Sequence, residues 1–209
     1  MTNQFDIDKV AAFDAATLEH LLRKEDALLS GHFRLSSGLH SDTYVQCARF
    51  LRRPYLAAPA AAALAVQIEA AGLKPDVVVG PAMGGVVIGY ELARQLRVPG
   101  IFTERDDTGQ MTLRRGFTIE PGQKIVIAED VVTTGKSTNE VARVLEGLGA
   151  KVLAVASLID RTGGKAELTF PNFALLPVTA ATYAPDDCPL CRAGIPVVKP
   201  GSRPEKAFS

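Results

Sequence analysis

Five short apolar runs recur along the chain: DVVVG (76–80), GIFTE (100–104), KIVIA (124–128), KVLAVASLI (151–159) and FALLPV (173–178). They are too short for buried helices, and they are apolar throughout rather than at alternate positions, as strands covered on both faces are. Helix-like segments separate them. In KSTNEVARVLEGLG (136–149), Val141, Val144, Leu145 and Leu148 keep the i, i+3, i+4, i+7 spacing of one buried face. GGVVIGYELARQL (84–96) reads as a glycine turn entering a helix, and an alanine-rich helix is expected over about 55–71, ended by Gly72. TLEHLLRKEDALL (17–29) reads as a short amphipathic helix, and 31–46 as turn-rich, then extended. Strands alternating with helices imply an α/β fold with a parallel sheet and helices on both faces. The expected layout is one domain over 1–209, with a core sheet at about 73–179 and a small hood from about 1–50 and 180–209.

Composition narrows the partners. Lys+Arg and Asp+Glu balance at 23 each, so no global charge draws the chain to nucleic acid or acidic lipid. The apolar stretch AAPAAAALAV (57–66) falls far below the roughly 20 residues of a membrane span. MTNQFDIDKV is too polar and acidic for a secretory signal, and three cysteines without one suggest reduced thiols in the cytoplasm.

Ligands of such sheets bind at the carboxyl ends of the strands. There the third run continues as KIVIAEDVVTTGKST: Glu129 and Asp130, then Thr133, Thr134, Gly135, Lys136, Ser137 and Thr138. Gly135-Lys136-Ser137 matches the end of a nucleotide P-loop, but the loop's first glycine falls on Asp130, whose carboxylate would face the phosphates. The start of the 136–149 helix still suits a phosphate, with unpartnered N–H groups, a favourable dipole, hydroxyls and Lys136. The upstream carboxylates cannot bind phosphate but accept hydrogen bonds from sugar hydroxyls. A phosphorylated ribose fits both halves. The plainer alternative is two exposed loop acids and Ser/Thr residues capping a helix.

IVIAEDVVTTG (125–135) resembles the phosphoribosyl diphosphate (PRPP) signature of type I phosphoribosyltransferases. FRLSSGLHSDTYV (33–45), GPAMGG (80–85) and LIDR, ending at Arg161, are similar to segments of the orotate-using members, and MTLRRGF (111–117) and CPLCRAGIPVVKPGSR (188–203) to one bacterial branch. The resemblance implies the type I fold with a hood, and transfer of phosphoribosyl from PRPP to orotate in pyrimidine synthesis. Mg²⁺ would enter with the diphosphate, with no protein residue assigned as a metal ligand. The run Glu129, Asp130, Val131, Val132, Thr133, Thr134, Gly135, Lys136 and Ser137 would bind PRPP, and Thr133 and Arg161 would contact orotate. The active unit would be a homodimer sharing a loop, with no nucleic acid or membrane partner. Two classes of rival stay open: a purine salvage phosphoribosyltransferase, and a PRPP-sensing regulator without catalysis.

The chain departs from the family pattern in its cations. In better-studied bacterial members the loop matching TERDDTGQM (103–111) carries an arginine, two lysines and a histidine; here it has Arg105 but no lysine or histidine, and Gly84 and Ser36 stand where those members have lysines. Asp130 is the expected stabiliser of a ribosyl cation. Arg105, with Arg114 and Arg115 as alternatives, is expected to neutralise the diphosphate. Tyr44 is a candidate pocket wall, and Gly84 and Gly85 allow close backbone approach. Cys188-Pro-Leu-Cys191 has the spacing of half a zinc knuckle, but Cys47, His20, His32 and His40 are scattered, so a reduced structural pair and a polar loop histidine at position 40 are expected.

Overall fold

The computed structural model describes residues 13–200; the expected hood boundaries at 1–12 and 201–209 lie outside them. In chain order the helices are α1 (Ala15–Lys24), α2 (Cys47–Leu51), α3 (Pro54–Ala70), α4 (Gly84–Leu96), α5 (Lys136–Gly147) and α6 (Pro189–Arg192). The strands are β1 (Leu28–Arg34), β2 (His40–Val45), β3 (Val77–Pro81), β4 (Gly100–Arg105), β5 (Met111–Leu113), β6 (Lys124–Val132), β7 (Lys151–Asp160), β8 (Asn172–Pro177) and β9 (Thr182–Tyr183).

The larger sheet runs β5-β4-β3-β6-β7-β8. All its pairs are parallel except β4 with β5, a short antiparallel edge that the sequence reading does not include. Helices cover both faces, as the apolar runs require. On one face Val78, Val126 and Ala128 pack beneath α3 and α4; on the other Val77, Val79, Ile125 and Ile127 meet Val141 and Leu145 of α5. Alternate residues of each strand feed opposite cores. The chain turns outward from β3 to β4, then returns to the other side of β3 with β6. The crevice for a ligand therefore opens between the carboxyl ends of β3 and β6.

A second sheet, β1-β2-β9, forms the hood. The carboxyl-terminal segment is fastened to it: Arg34 N–H donates to Val198 O at 2.9 Å and Val198 N–H to His32 O at 2.8 Å.

Two expected elements change. The helix expected over 17–29 stops at Lys24, because Asp26 takes a left-handed φ of 51° and Ala27 N–H closes back on Leu22 O; Leu28 then begins β1. The strand expected over 124–128 continues to Val132, because its backbone stays paired with β7 as far as Val132 opposite Asp160. Glu129 and Asp130 are thus strand residues.

Candidate active site

Because Glu129 and Asp130 sit in a strand, their side chains leave opposite faces of the sheet. Glu129 is buried beneath α5, where Thr138 Oγ1 donates to its Oε1 at 3.2 Å. Burial, reinforced by the neighbouring Asp130 charge, pushes its carboxyl up to about 8 against the Thr138 hydrogen bond. Asp130 turns towards α4 and is also raised by burial, while its Oδ1 accepts the Val131 N–H at 2.9 Å. A Cβ on Gly84 would collide with the Asp130 carboxylate, and one on Gly85 would come within 2.5 Å of Ala128 O. These glycines admit α4 against the core's own acidic strand, a closer cause than approach to a ligand.

Both acids open onto a cavity of about 390 Å³. Its floor is the turn Thr133–Ser137, and its far wall is the loop from Pro81 to Gly84. Gly135 caps α5 with φ 76°, and Asn139 N–H donates to its carbonyl at 2.8 Å. A side chain at 135 would be strained and would meet Leu168. Thr134 Oγ1 accepts the Lys136 N–H at 3.3 Å. The next first-turn N–H groups lack intrahelical partners, which gives an anion site at this end of the cavity.

A larger cavity of about 1200 Å³ meets the first at Thr133 and Thr134, which line both. The 34–39 loop and Tyr44 form its hood wall, and Arg161 reaches it from the end of β7. Burial depresses the Arg161 guanidinium, against the favourable charge of Asp42, and its buried Nε has no hydrogen-bond partner in the fold. A half-buried guanidinium that lines an open cavity suits a carboxylate.

The structure brings together Asp130, Glu129, Val131, Thr133, Thr134, Gly135, Lys136, Ser137 and Arg105 around the smaller cavity, and Arg161 and Tyr44 around the larger. Val132 does not join them: it lines neither cavity, its side chain is buried in the core beneath α5, and its carbonyl accepts the Arg161 N–H at 2.9 Å. Arg105 lines the cavity but is held by Glu140 at 2.5 Å and by Gly109 O at 2.7 Å. Arg114 and Arg115 pair with Glu104 at 3.6 and 2.9 Å, which leaves Arg105 as the arginine of this hairpin at the cavity. Pro81, Ala82 and Met111 in the smaller cavity and Arg34 and Lys199 in the larger lie within segments that carry the resemblance but were not singled out individually. The GPAM segment before the paired glycines carried a signal for the first two.

The cysteines and histidines correct the sequence reading. His32 and His40 are not scattered: both are buried and lie beside Cys188 and Cys191 in the hood. His40 opens β2 rather than standing in a polar loop. Cys47 lies elsewhere, buried, with its Sγ donating to Asp130 O at 3.6 Å and its thiol pushed well up by burial.

Residues 51–176 match the phosphoribosyl transferase domain family. The chain is 50% identical to an orotate phosphoribosyltransferase of Carboxydothermus hydrogenoformans over 89% of its own length and 97% of the relative's. It is 49% identical to the same-named protein of Desulforamulus reducens, over 88% and 94%. Its structure is similar to the crystal structure of orotate phosphoribosyltransferase from Aeropyrum pernix, with a TM-score of 0.62 at 26% identity, covering 77% of this chain and 93% of that one.

Proposed function

The chain belongs to the phosphoribosyl transferase family, beside orotate phosphoribosyltransferases that it matches over most of their length, and we propose that it makes orotidine 5′-monophosphate and diphosphate from orotate and PRPP. The observation that carries this reading is the pair of cavities meeting at Thr133 and Thr134, one built for a sugar phosphate and the other ending on a carboxylate-seeking arginine.

In this reading the 5′-phosphate rests on Thr133–Ser137 and the ribose hydroxyls donate to Glu129 and Asp130. The diphosphate lies towards Pro81–Gly84 and Arg105. Orotate enters the larger cavity with its carboxylate on Arg161 and its ring beside Thr133. The anomeric C–O bond breaks and its electron pair leaves on diphosphate; a ring nitrogen of orotate forms the new C–N bond, and its N–H proton passes to the departing diphosphate or to solvent. Positive charge develops at the anomeric carbon, where Asp130 stabilises it by position and field rather than by attack. Arg105 exchanges Glu140 for the leaving diphosphate.

Two carboxylates and a substrate rich in phosphate oxygens suit Mg²⁺, which is commonly held by one or two carboxylates, water and phosphates. It would enter on the diphosphate rather than in a protein cage; Asp130, on the side of the Pro81–Gly84 loop, is the carboxylate placed to stand near it, and when bound it would supply charge neutralisation of the diphosphate. The exposed stripe Met83, Val87 and Tyr90 beside the active-site loop supports a homodimer sharing the loop after β4. Among the described residues no helix is long and apolar enough to cross a membrane, and all three cysteines are free; we assign the enzyme to the cytoplasm on the thiols.

The test is loss of orotate absorbance with release of diphosphate in purified protein. Turnover that needs orotate, PRPP and Mg²⁺ together, and fails with hypoxanthine, adenine or uracil, is the expected result. PRPP binding without turnover would move the assignment to a PRPP sensor, and turnover with a purine base to a salvage enzyme. Unchanged turnover in Arg105→Ala would remove that residue from the mechanism.

A further inference from the structure

At the back of the hood four side chains from two distant segments converge. His32 Nε2 lies 2.9 Å from His40 Nδ1, 3.5 Å from Cys188 Sγ and 3.7 Å from Cys191 Sγ, and Cys191 Sγ lies 3.3 Å from His40 Nδ1. All four ligand atoms fall within 4.8 Å of one another. Among the described residues this is the one such grouping of histidine, cysteine and carboxylate ligands. His32, His40 and Cys188 are buried.

Tetrahedral zinc with ordinary Zn–N and Zn–S lengths separates its ligands by about 3.3 Å for N···N and about 3.6 Å for N···S. The three N···S separations, 3.3 to 3.7 Å, bracket the second value, and the N···N separation of 2.9 Å is about 0.4 Å short of the first, a small opening of the two rings. Hydrogen bonding alone accounts for them less well. His32 Nδ1 lies 2.7 Å from Ile195 O, a contact that requires Nδ1–H as donor. The neutral ring then has one lone pair at Nε2, where an imidazole nitrogen and two sulfurs all converge. One hydrogen bond can use that lone pair; a cation shared by all four groups uses every one of them. The Ile195 contact is also the outer-shell hydrogen bond that fixes the tautomer of a metal-binding histidine.

The local folds suit a metal. Cys188 and Cys191 bracket the first turn of α6, where Arg192 N–H closes on Cys188 O at 3.1 Å and Gly194, with φ 68°, on Cys191 O at 3.0 Å. His32 in β1 and His40 in β2 stand either side of the 34–39 loop that walls the larger cavity.

We propose that His32 Nε2, His40 Nδ1, Cys188 Sγ and Cys191 Sγ form a structural zinc site that ties the carboxyl-terminal segment to the hood. Four protein ligands close the coordination sphere, so the ion holds structure and takes no part in the transfer. The thiols release their protons to solvent on binding, and no electron moves. The site lies apart from the sugar-phosphate cavity and does not depend on which base the enzyme uses.

Elemental analysis of the untagged full chain, purified under reducing conditions without chelator, is expected to give about one zinc per chain. The Cys188→Ser/Cys191→Ser double variant should hold less than about a tenth of that. Since this variant could misfold, two measurements on folded protein stand beside it. Co²⁺ added to the reduced, metal-stripped wild-type chain should produce the strong visible absorption of tetrahedral thiolate-bound cobalt. His40→Cys, which keeps four ligands, should retain zinc where His40→Ala loses it. A wild-type chain that carries no zinc and gives no cobalt spectrum overturns the proposal, as does undiminished zinc in the double variant.

Discussion

The end of β6 draws its chemistry from one unbroken stretch, Glu129 to Thr138, whereas the hood cluster joins groups such as Cys191 and His40 that lie 151 residues apart in the chain. In the first region one strand, one turn and one helix start fix every donor and acceptor. Local backbone geometry does the positioning, and the core beneath both faces holds it still. In the second region position comes from the register of β1 with β2 and from the docking of the 188–198 segment. The first should tolerate change elsewhere and fail at its own residues. The second should be sensitive to whatever loosens the hood.

The hardest test of that contrast is Asp130→Asn. It should lower kcat by about 100-fold or more, the scale for one preorganised electrostatic group, with little change in the unfolding midpoint. A near-normal kcat would take Asp130 out of catalysis. Next in size, Arg161→Ala should raise the KM for orotate about 10- to 100-fold, the worth of a charge-assisted pair, while the KM for PRPP moves little. An equal rise for both substrates would break the division into two cavities. Hydrogen exchange then separates the regions directly. In the Cys188→Ser/Cys191→Ser variant the amides of β1 and β2 should exchange about tenfold faster, with β6 and β7 unchanged. Faster exchange spread evenly over both sheets would make the two regions one cooperative unit.

The smallest effect is a pH dependence. Glu129 titrates near 8 in the fold against 4.5 when unperturbed, so between those values the folded chain keeps a proton that the unfolded chain releases. Stability of the ligand-free protein should therefore fall as pH rises from about 5 to about 8, by on the order of 1 kcal/mol or more, and level off above. Asp130, also raised, acts with the same sign. Denaturation curves of wild type and Glu129→Gln across that range check it: the variant should show the shallower slope, and parallel curves would mean that Glu129 is not titrating there.

The same contrast explains what was legible in the sequence. Apolar strands and the α5 periodicity announced the core sheet, because burial on two faces leaves an unbroken apolar record. The acidic turn was legible for the same local reason. The extent of β6 was less so, since adjacent carboxylates argue against a strand and only pairing with β7 carries the ladder through them. Residues 25–29 misled because the helical pattern of α1 runs on past a turn made by one left-handed residue, Asp26. Of the histidine–cysteine cluster, spacing showed only the Cys188–Cys191 half, and His32 and His40 gave no sign of joining it. Its four members become neighbours only once β1, β2 and the tail are assembled, and no local rule encodes that assembly.

The contact between Gly84 and Asp130 also bears on how the sequence can change. The resemblance leads one to look for a lysine at position 84, and here even the first carbon of such a side chain would strike the Asp130 carboxylate. A lysine substituted at 84 would displace the acid before its charge could reach a substrate. To admit one, α4 would have to stand further from β6, so glycine and lysine at this position belong to two different packings of the helix on the strand.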